Sequence, residues 1–294
     1  MTIVTVTREI APAARVSPEA QIGPFCVVGP DVTIGPGTVL LRRTCVVGHT
    51  AIGSNNVIGE GCVLGSTPQD LKYKGHQTFL LIGHRNRFGR AVTANIGTES
   101  GGFVTRIGDG NTFADRAHIA HDCYVDNDTR IGQSVLLAGH IRVHDGAVIE
   151  DMVGVQHFVT IGRHARVGSG TPARRDVPPF TSFYSENYDW SGPPAVRGVH
   201  EEGIAAANLD ADEEKELRRA LHELFDDETA LQTKIEQLVN MGVEGEVAEL
   251  CHFVQCSLQG VFGRHRELNR GKVPSEAETY LPPELKVVVR ESLR

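Results

Sequence analysis

The stretch from residue 107 to residue 167, IGDGNTFADRAHIAHDCYVDNDTRIGQSVLLAGHIRVHDGAVIEDMVGVQHFVTIGRHARV, beats with a period of six. Ile107, Phe113, Ile119, Val125, Ile131, Leu137, Val143, Ile149, Val155, Ile161 and Val167 are all aliphatic or aromatic and stand six apart. A helix turns every 3.6 residues and a strand alternates every two, so neither gives this spacing. A short fixed period marks a solenoid, and six residues mark the hexapeptide class of parallel β-helix. Three units make a coil of eighteen residues, a triangular prism. Residues eighteen apart then stack at the spacing of neighbouring strands, roughly 4.8 Å.

The same beat opens the chain, from Ile10 through Val16, Ile22 and Val28 to Leu64. Four residues after each aliphatic position the side chain is usually small, as at Cys26, Thr38, Thr44, Cys62, Ala117, Cys123 and Ala147. Both positions are expected to face inward. Glycine commonly follows the aliphatic residue, as at Gly23, Gly35, Gly59, Gly83 and Gly108. Its expected role is to permit corner conformations that a Cβ disfavours. Two interruptions, Ser66–Leu81 and Glu99–Thr105, are expected as loops thrown out from corners.

The prolines of RRDVPPF, 174–180, are expected to end the prism, because proline cannot donate to a ladder. The expected layout is a β-helix over 1–179, a linker over 180–208, a helical domain over 209–268 and a tail over 269–294. Leu217, Ala220, Leu221 and Leu224 have helical spacing, as do Leu231, Ile235 and Leu238, and Val247, Leu250, Val254 and Leu258.

A net charge of −8 offers no general basic field for nucleic acid. No apolar run reaches the length of a membrane span, and MTIVTVTREI lacks the layout of a signal peptide. The expected location is cytoplasmic. Three of the six cysteines, Cys26, Cys62 and Cys123, fall on the small inward position, which reads as buried packing.

Histidine carries the chemical signal. On the eighteen-residue ruler His121, Gly139 and His157 form one vertical column. His140 stands beside Gly139, one coil from Asp122, and His118 precedes His121 by three residues. An imidazole beside a carboxylate can take a hydroxyl proton. A backbone N–H at Gly139 could hold a developing oxyanion. The competing readings are solvated corner histidines and a zinc site built from imidazoles.

HIAHDC (118–123), LLAGH (136–140), QDLKYKG (69–75), IGPFCVVGP (22–30) and RDVPPF (175–180) together resemble the UDP-N-acetylglucosamine 3-O-acyltransferases of lipid A biosynthesis. The helical segment ending FVQCSLQGVFGR (253–264) resembles that family's C-terminal domain. The resemblance implies a left-handed β-helix and a homotrimer with active sites between adjacent prisms. It implies acyl transfer from acyl carrier protein to the 3-hydroxyl of a UDP-sugar, with the acyl thioester as cosubstrate and no metal or other cofactor. By position it makes His121 the general base, Asp122 its partner and Gly139 the oxyanion donor. Gln69, Asp70, Lys72, His118, His140, Gln156 and His157 become substrate contacts, and Ser169 a limit on acyl-chain length.

The chain also departs from that pattern. GVQHF (154–158) exchanges the family's His and Gln, and Asn95 replaces a histidine. A basic pair is replaced by Glu201 and Glu202, and an asparagine by Ala195. These changes are expected to weaken binding of a diphosphate or to change the acceptor. An acyltransferase with another acceptor, a gamma-carbonic-anhydrase-like metalloenzyme and an inactive scaffold are the alternative readings.

Overall fold

The computed structural model describes residues 7–186, 193–225 and 230–262. The chain winds as a left-handed parallel β-helix whose short strands fall into three sheets of nine, eight and ten strands. Pairing is parallel at a register of eighteen residues, as in His118↔Leu136 and Leu136↔Gly154. The two interruptions break that register, but both are shorter than expected, because residues 79–81 and 104–105 pair with each other as strand. Val63 pairs with Thr93 and Thr93 with His118, thirty and twenty-five residues apart instead of eighteen. Ile82, Phe88 and Ala94 keep the six-residue phase between the two loops and are buried.

The aliphatic and small positions both point into the prism and are buried from Val28 to Val167. The small residues do more than leave room. Thr38 Oγ1 donates to the Gly53 carbonyl at 2.7 Å, Cys26 Sγ to Leu41 at 2.9 Å and Cys123 Sγ to Ala138 at 3.0 Å. All six cysteines are free thiols. Three buried asparagines share the small position and pass hydrogen bonds between coils. Asn56 Oδ1 accepts from Asn86 Nδ2 at 3.0 Å, and Asn86 Oδ1 from the Asn111 amide at 2.8 Å. Asn111 Oδ1 takes Thr129 Oγ1 at 2.7 Å.

The expected reason for the corner glycines is corrected. Gly23, Gly35, Gly59, Gly83 and Gly108 do not adopt positive φ. The left-handed residue lies two places later and is often not glycine: Phe25, Arg43, Arg85, Arg116, Asp122 and His140 have φ between 56° and 65°. Glycine is needed after the aliphatic residue because the next coil passes too close for a Cβ. A Cβ on Gly35 would lie 2.8 Å from the carbonyl of Gly53, and one on Gly59 would overlap the Gly89 carbonyl oxygen. Gly59→Ala should therefore cost about 1–3 kcal/mol by overpacking. Gly61→Ala, with nothing within 4 Å of its Cβ, should cost only the strain of its backbone, up to about 1 kcal/mol. Chemical denaturation of the two variants checks the order.

The prism continues past the double proline. Thr181–Tyr184 adds a parallel strand beside Arg166–Val167, and Ala195–Val199 returns antiparallel against it. Part of the expected linker is thus sheet, because Pro178 and Pro179 sit in the turn before the strand and leave its donors intact. Helix α1, Glu201–Ala207, follows, then α2, Ala211–Phe225, α3, Leu231–Asn240, and α4, Gly245–Leu258. The last three carry the apolar faces read from the sequence; Leu217, Leu221, Leu224, Ile235, Leu238, Leu250 and Val254 form one buried cluster. Asp210 starts α2 by accepting the amide of Glu213 at 2.9 Å. Phe180 joins this cluster, and Ser257 donates to Asp176 at 2.7 Å, so the helices pack on the end of the prism. Among the described residues no helix is long and apolar enough to cross a membrane. The 269–294 tail lies outside the described residues.

Candidate active site

The column of corners that holds His121, Gly139 and His157 carries no side-chain caps. At several corners the amide two places after the aliphatic residue is capped by a side chain one coil up. Asp109 N donates to Asn127 Oδ1 at 2.9 Å, Asn127 N to Asp145 Oδ1 at 2.7 Å and Gln133 N to Asp151 Oδ1 at 2.7 Å. In the column of His121, Gly139 and His157 the device fails. Gly139 has no side chain to cap His121, and His157 is exposed without a hydrogen bond to Gly139. Ala138 and His140 on either side donate to Val155 and His121 carbonyls, whereas the Gly139 amide has no acceptor among the described residues. That donor is left for a ligand.

His121 lies over this amide. A Cβ on Gly139 would stand 2.5 Å from His121 Cε1 and 2.8 Å from Nε2. His121 Nδ1 is 2.7 Å from Asp122 Oδ2. A carboxylate only accepts, so the ring proton sits on Nδ1 and Nε2 carries the lone pair. Asp122 takes the left-handed corner with φ of 61° and is fully buried. A buried carboxylate needs several donors. Thr98 supplies two of them, its amide to Oδ1 at 2.8 Å and its hydroxyl to Oδ2 at 2.6 Å. Thr105 Oγ1 accepts the Asp122 amide at 2.8 Å.

Thr98 and Thr105 were not anticipated. They bracket the second interruption, where no periodicity singles out a position; the insertion itself was the only signal. The same insertion grips the first loop. Glu99 Oε1 accepts from the amides of Lys74 and His76 at 3.1 and 3.0 Å and meets His76 Nδ1 at 2.7 Å. Asn95 Nδ2 donates to the Thr67 carbonyl at 2.7 Å. The residue that replaces the expected histidine therefore anchors the loop.

The resulting cleft has a volume of about 800 Å³. Gln69, His118, His121, Gly139, Gln156 and His157 line it, together with Leu136, Pro172 and Arg174. His118 bonds Thr93 Oγ1 at 2.7 Å, and burial, with His121 nearby, lowers its pKa from the ordinary imidazole range. It is therefore a neutral hydrogen-bonding group at neutral pH.

Four predicted positions fall elsewhere. His140 is buried behind the dyad. Its ring stacks on Phe158 with centroids 4.7 Å apart, and its Nε2 is 3.7 Å from Asp122 Oδ2. Its left-handed corner turns the side chain toward that carboxylate instead of the cleft. Asp70 is spent on a turn, its Oδ1 accepting the Lys72 amide at 2.9 Å. Lys72 is exposed on the same loop and does not line the cleft of its own chain. Ser169 lies in a separate hollow with Met152, Arg166 and Tyr184, bonded to Glu150 at 2.9 Å.

Among the described residues, His121, Asp122 and His140 are the one trio close enough to hold a metal ion. Asp122 Oδ2 already takes the short bonds from His121 and Thr98, so a metal would have to displace them. The acidic pair is also engaged. Glu201 pairs with Arg218 at 2.8 Å and Glu202 with His200 at 3.2 Å. Arg218 holds the Glu201 carboxyl below its ordinary range. The sign reversal at Glu201 thus comes with its own counter-charge instead of a bare negative patch.

An imidazole held by a buried carboxylate, facing an unused amide on a hexapeptide prism, is an arrangement suited to an acyltransferase of the hexapeptide-repeat class. Comparison with known proteins agrees. Residues 176–262 match the family described as UDP N-acetylglucosamine O-acyltransferase, domain 2. The acyl-[acyl-carrier-protein]–UDP-N-acetylglucosamine O-acyltransferase of Synechocystis is 38% identical over 213 residues, 72% of each chain. That of Nautilia profundicola is 34% identical over 198 residues, 67% of this chain and 74% of the relative. The solved UDP-N-acetylglucosamine acyltransferase of Francisella novicida superposes with a TM-score of 0.77 at 29% identity, covering 82% of this chain and 87% of that one. LpxA from Acinetobacter baumannii gives 0.75 at 30% identity, covering 88% and 97%. The chain belongs to the UDP-N-acetylglucosamine O-acyltransferase family.

Proposed function

We propose that this protein moves an acyl group from acyl carrier protein to the 3-hydroxyl of UDP-N-acetylglucosamine. The observation that carries the reading is the His121–Asp122 dyad set against the free Gly139 amide in one cleft. His121 Nε2 takes the proton of the sugar hydroxyl as its oxygen attacks the thioester carbon. The imidazolium is stabilised by Asp122, and the Gly139 N–H receives the tetrahedral oxyanion. Collapse expels the carrier thiolate, which recovers the proton from His121. No metal enters this sequence. Mass spectrometry of the product, after incubation with acyl-carrier-protein thioesters and UDP-N-acetylglucosamine, tests the reading; an O-acylated UDP-sugar is expected.

The working form in this proposal is a homotrimer. Lys72 and Asp70 stand clear of their own chain's cleft, and a neighbouring prism would bring them to a second one. Ser169 would limit acyl length by the same logic, its hollow facing a neighbour's cleft. Ser169→Gly should then shift the preference toward longer chains, read by competition between thioesters of different length.

Thr98 acts through Asp122. Thr98→Val removes the 2.6 Å bond to the carboxylate while keeping the backbone one. A hydrogen bond to a charged group contributes about 1.5–3 kcal/mol, so kcat should fall about tenfold or more. KM for the sugar should stay level and Thr98→Ser should recover the rate.

A further inference from the structure

Among the described residues the cleft is lined by one permanent charge. No aspartate, glutamate or lysine among the described residues lines it, Asp122 is buried behind it, and Arg174 is its only arginine. Arg174 is exposed, and among the described residues its guanidinium makes no ion pair or hydrogen bond. Three other arginines of the prism are engaged, Arg163 with Glu246, Arg166 with Glu150 and Arg90 with Asp115; what sets Arg174 apart is its place in the cleft. An unpaired guanidinium inside an otherwise uncharged cleft is a site for an anion, and its fork fits phosphate oxygens.

Its height on the prism identifies which part of a ligand it meets. Arg174 stands one coil above Gln156 and two above Ala138, the residue before the oxyanion donor. Two coils are roughly 10 Å. The His121 ring lies against Gly139, two coils below Arg174, and in the acyl-transfer reading the acceptor hydroxyl would meet its Nε2. A sugar ring bearing a phosphate, met by an extended arginine side chain, would be long enough to span that gap. We propose that Arg174 is the phosphate contact of the cleft. Resting on the acyl-transfer reading, this assigns it the diphosphate of the nucleotide-sugar acceptor. The phosphodiester of the donor's pantetheine arm has the same chemistry at the end of a longer tether.

The test is calorimetric titration of the wild-type protein, Arg174→Gln and Arg174→Lys with UDP and, separately, with 4′-phosphopantetheine. Thioester release is measured on the same samples, and melting curves confirm that each is folded. Arg174→Gln should weaken UDP binding about 10- to 100-fold and flatten its salt dependence. Arg174→Lys should restore part of the affinity, and phosphopantetheine binding should stay unchanged. Weakening of phosphopantetheine instead would keep Arg174 as the phosphate contact and move it to the donor. Unchanged binding of both, by a protein that still releases thioester, would overturn the proposal and leave the acyl-transfer reading standing. A wild-type protein that binds neither probe and releases no thioester would end both.

Discussion

Replacing His121 with alanine should lower turnover by about two to four orders of magnitude, the usual contribution of a general base. The fold should not suffer. His121 stands at a corner, outside the stacked aliphatic interior, and its ring rests on the Gly139 backbone. The loss should fall on kcat, because the imidazole acts on the proton in flight more than on the bound sugar. Steady-state kinetics with saturating acyl-carrier-protein thioester, beside a melting curve, check both halves. Near-normal turnover by a folded His121→Ala protein would remove the base assignment.

Gly139→Ala should be nearly as damaging for a different reason. The new methyl would meet His121 Cε1 at 2.5 Å and Nε2 at 2.8 Å. A side chain can swing aside where a backbone cannot, so the histidine moves and the prism stays. Alanine keeps the backbone N–H, so the loss comes from moving His121, and a displacement of about 1 Å at a reacting group can cost a hundredfold. Activity should therefore drop at least a hundredfold at almost unchanged stability. Gly59→Ala inverts that pattern, because its methyl would meet the backbone of Gly89. Measuring melting temperature and turnover on the two alanine variants separates a catalytic glycine from a packing one.

Most of the fold could be read from the chain because the prism repeats one local rule. Each coil buries its aliphatic residue in the same place, so one period fixes register and stacking together. The two insertions announced themselves as breaks in that period. What escaped was whatever depends on the distance between coils. Gly59 looks like a turn residue in sequence and proves to be a contact residue in space. Asn56, Asn86 and Asn111 break the small-residue pattern and instead satisfy one another down the core. Strand Thr181–Tyr184 follows two prolines, and its pairing with Arg166–Val167 is a tertiary event with no local period.

The site was legible for the same reason and to the same limit. The eighteen-residue ruler brings His121, Gly139 and His157 into one column, and adjacency places Asp122 beside His121. It could not say that His140 turns inward, since the left-handed corner decides that. Nor could it find Thr98, which reaches Asp122 from a loop outside the period.

The most direct test of the account is thioester release from acyl carrier protein by the purified protein, with and without UDP-N-acetylglucosamine, before and after His121→Ala. Release should require the sugar nucleotide, yield its 3-O-acyl ester and fall at least a hundredfold in the variant. Sugar-independent release, or release that survives the loss of His121, would contradict it.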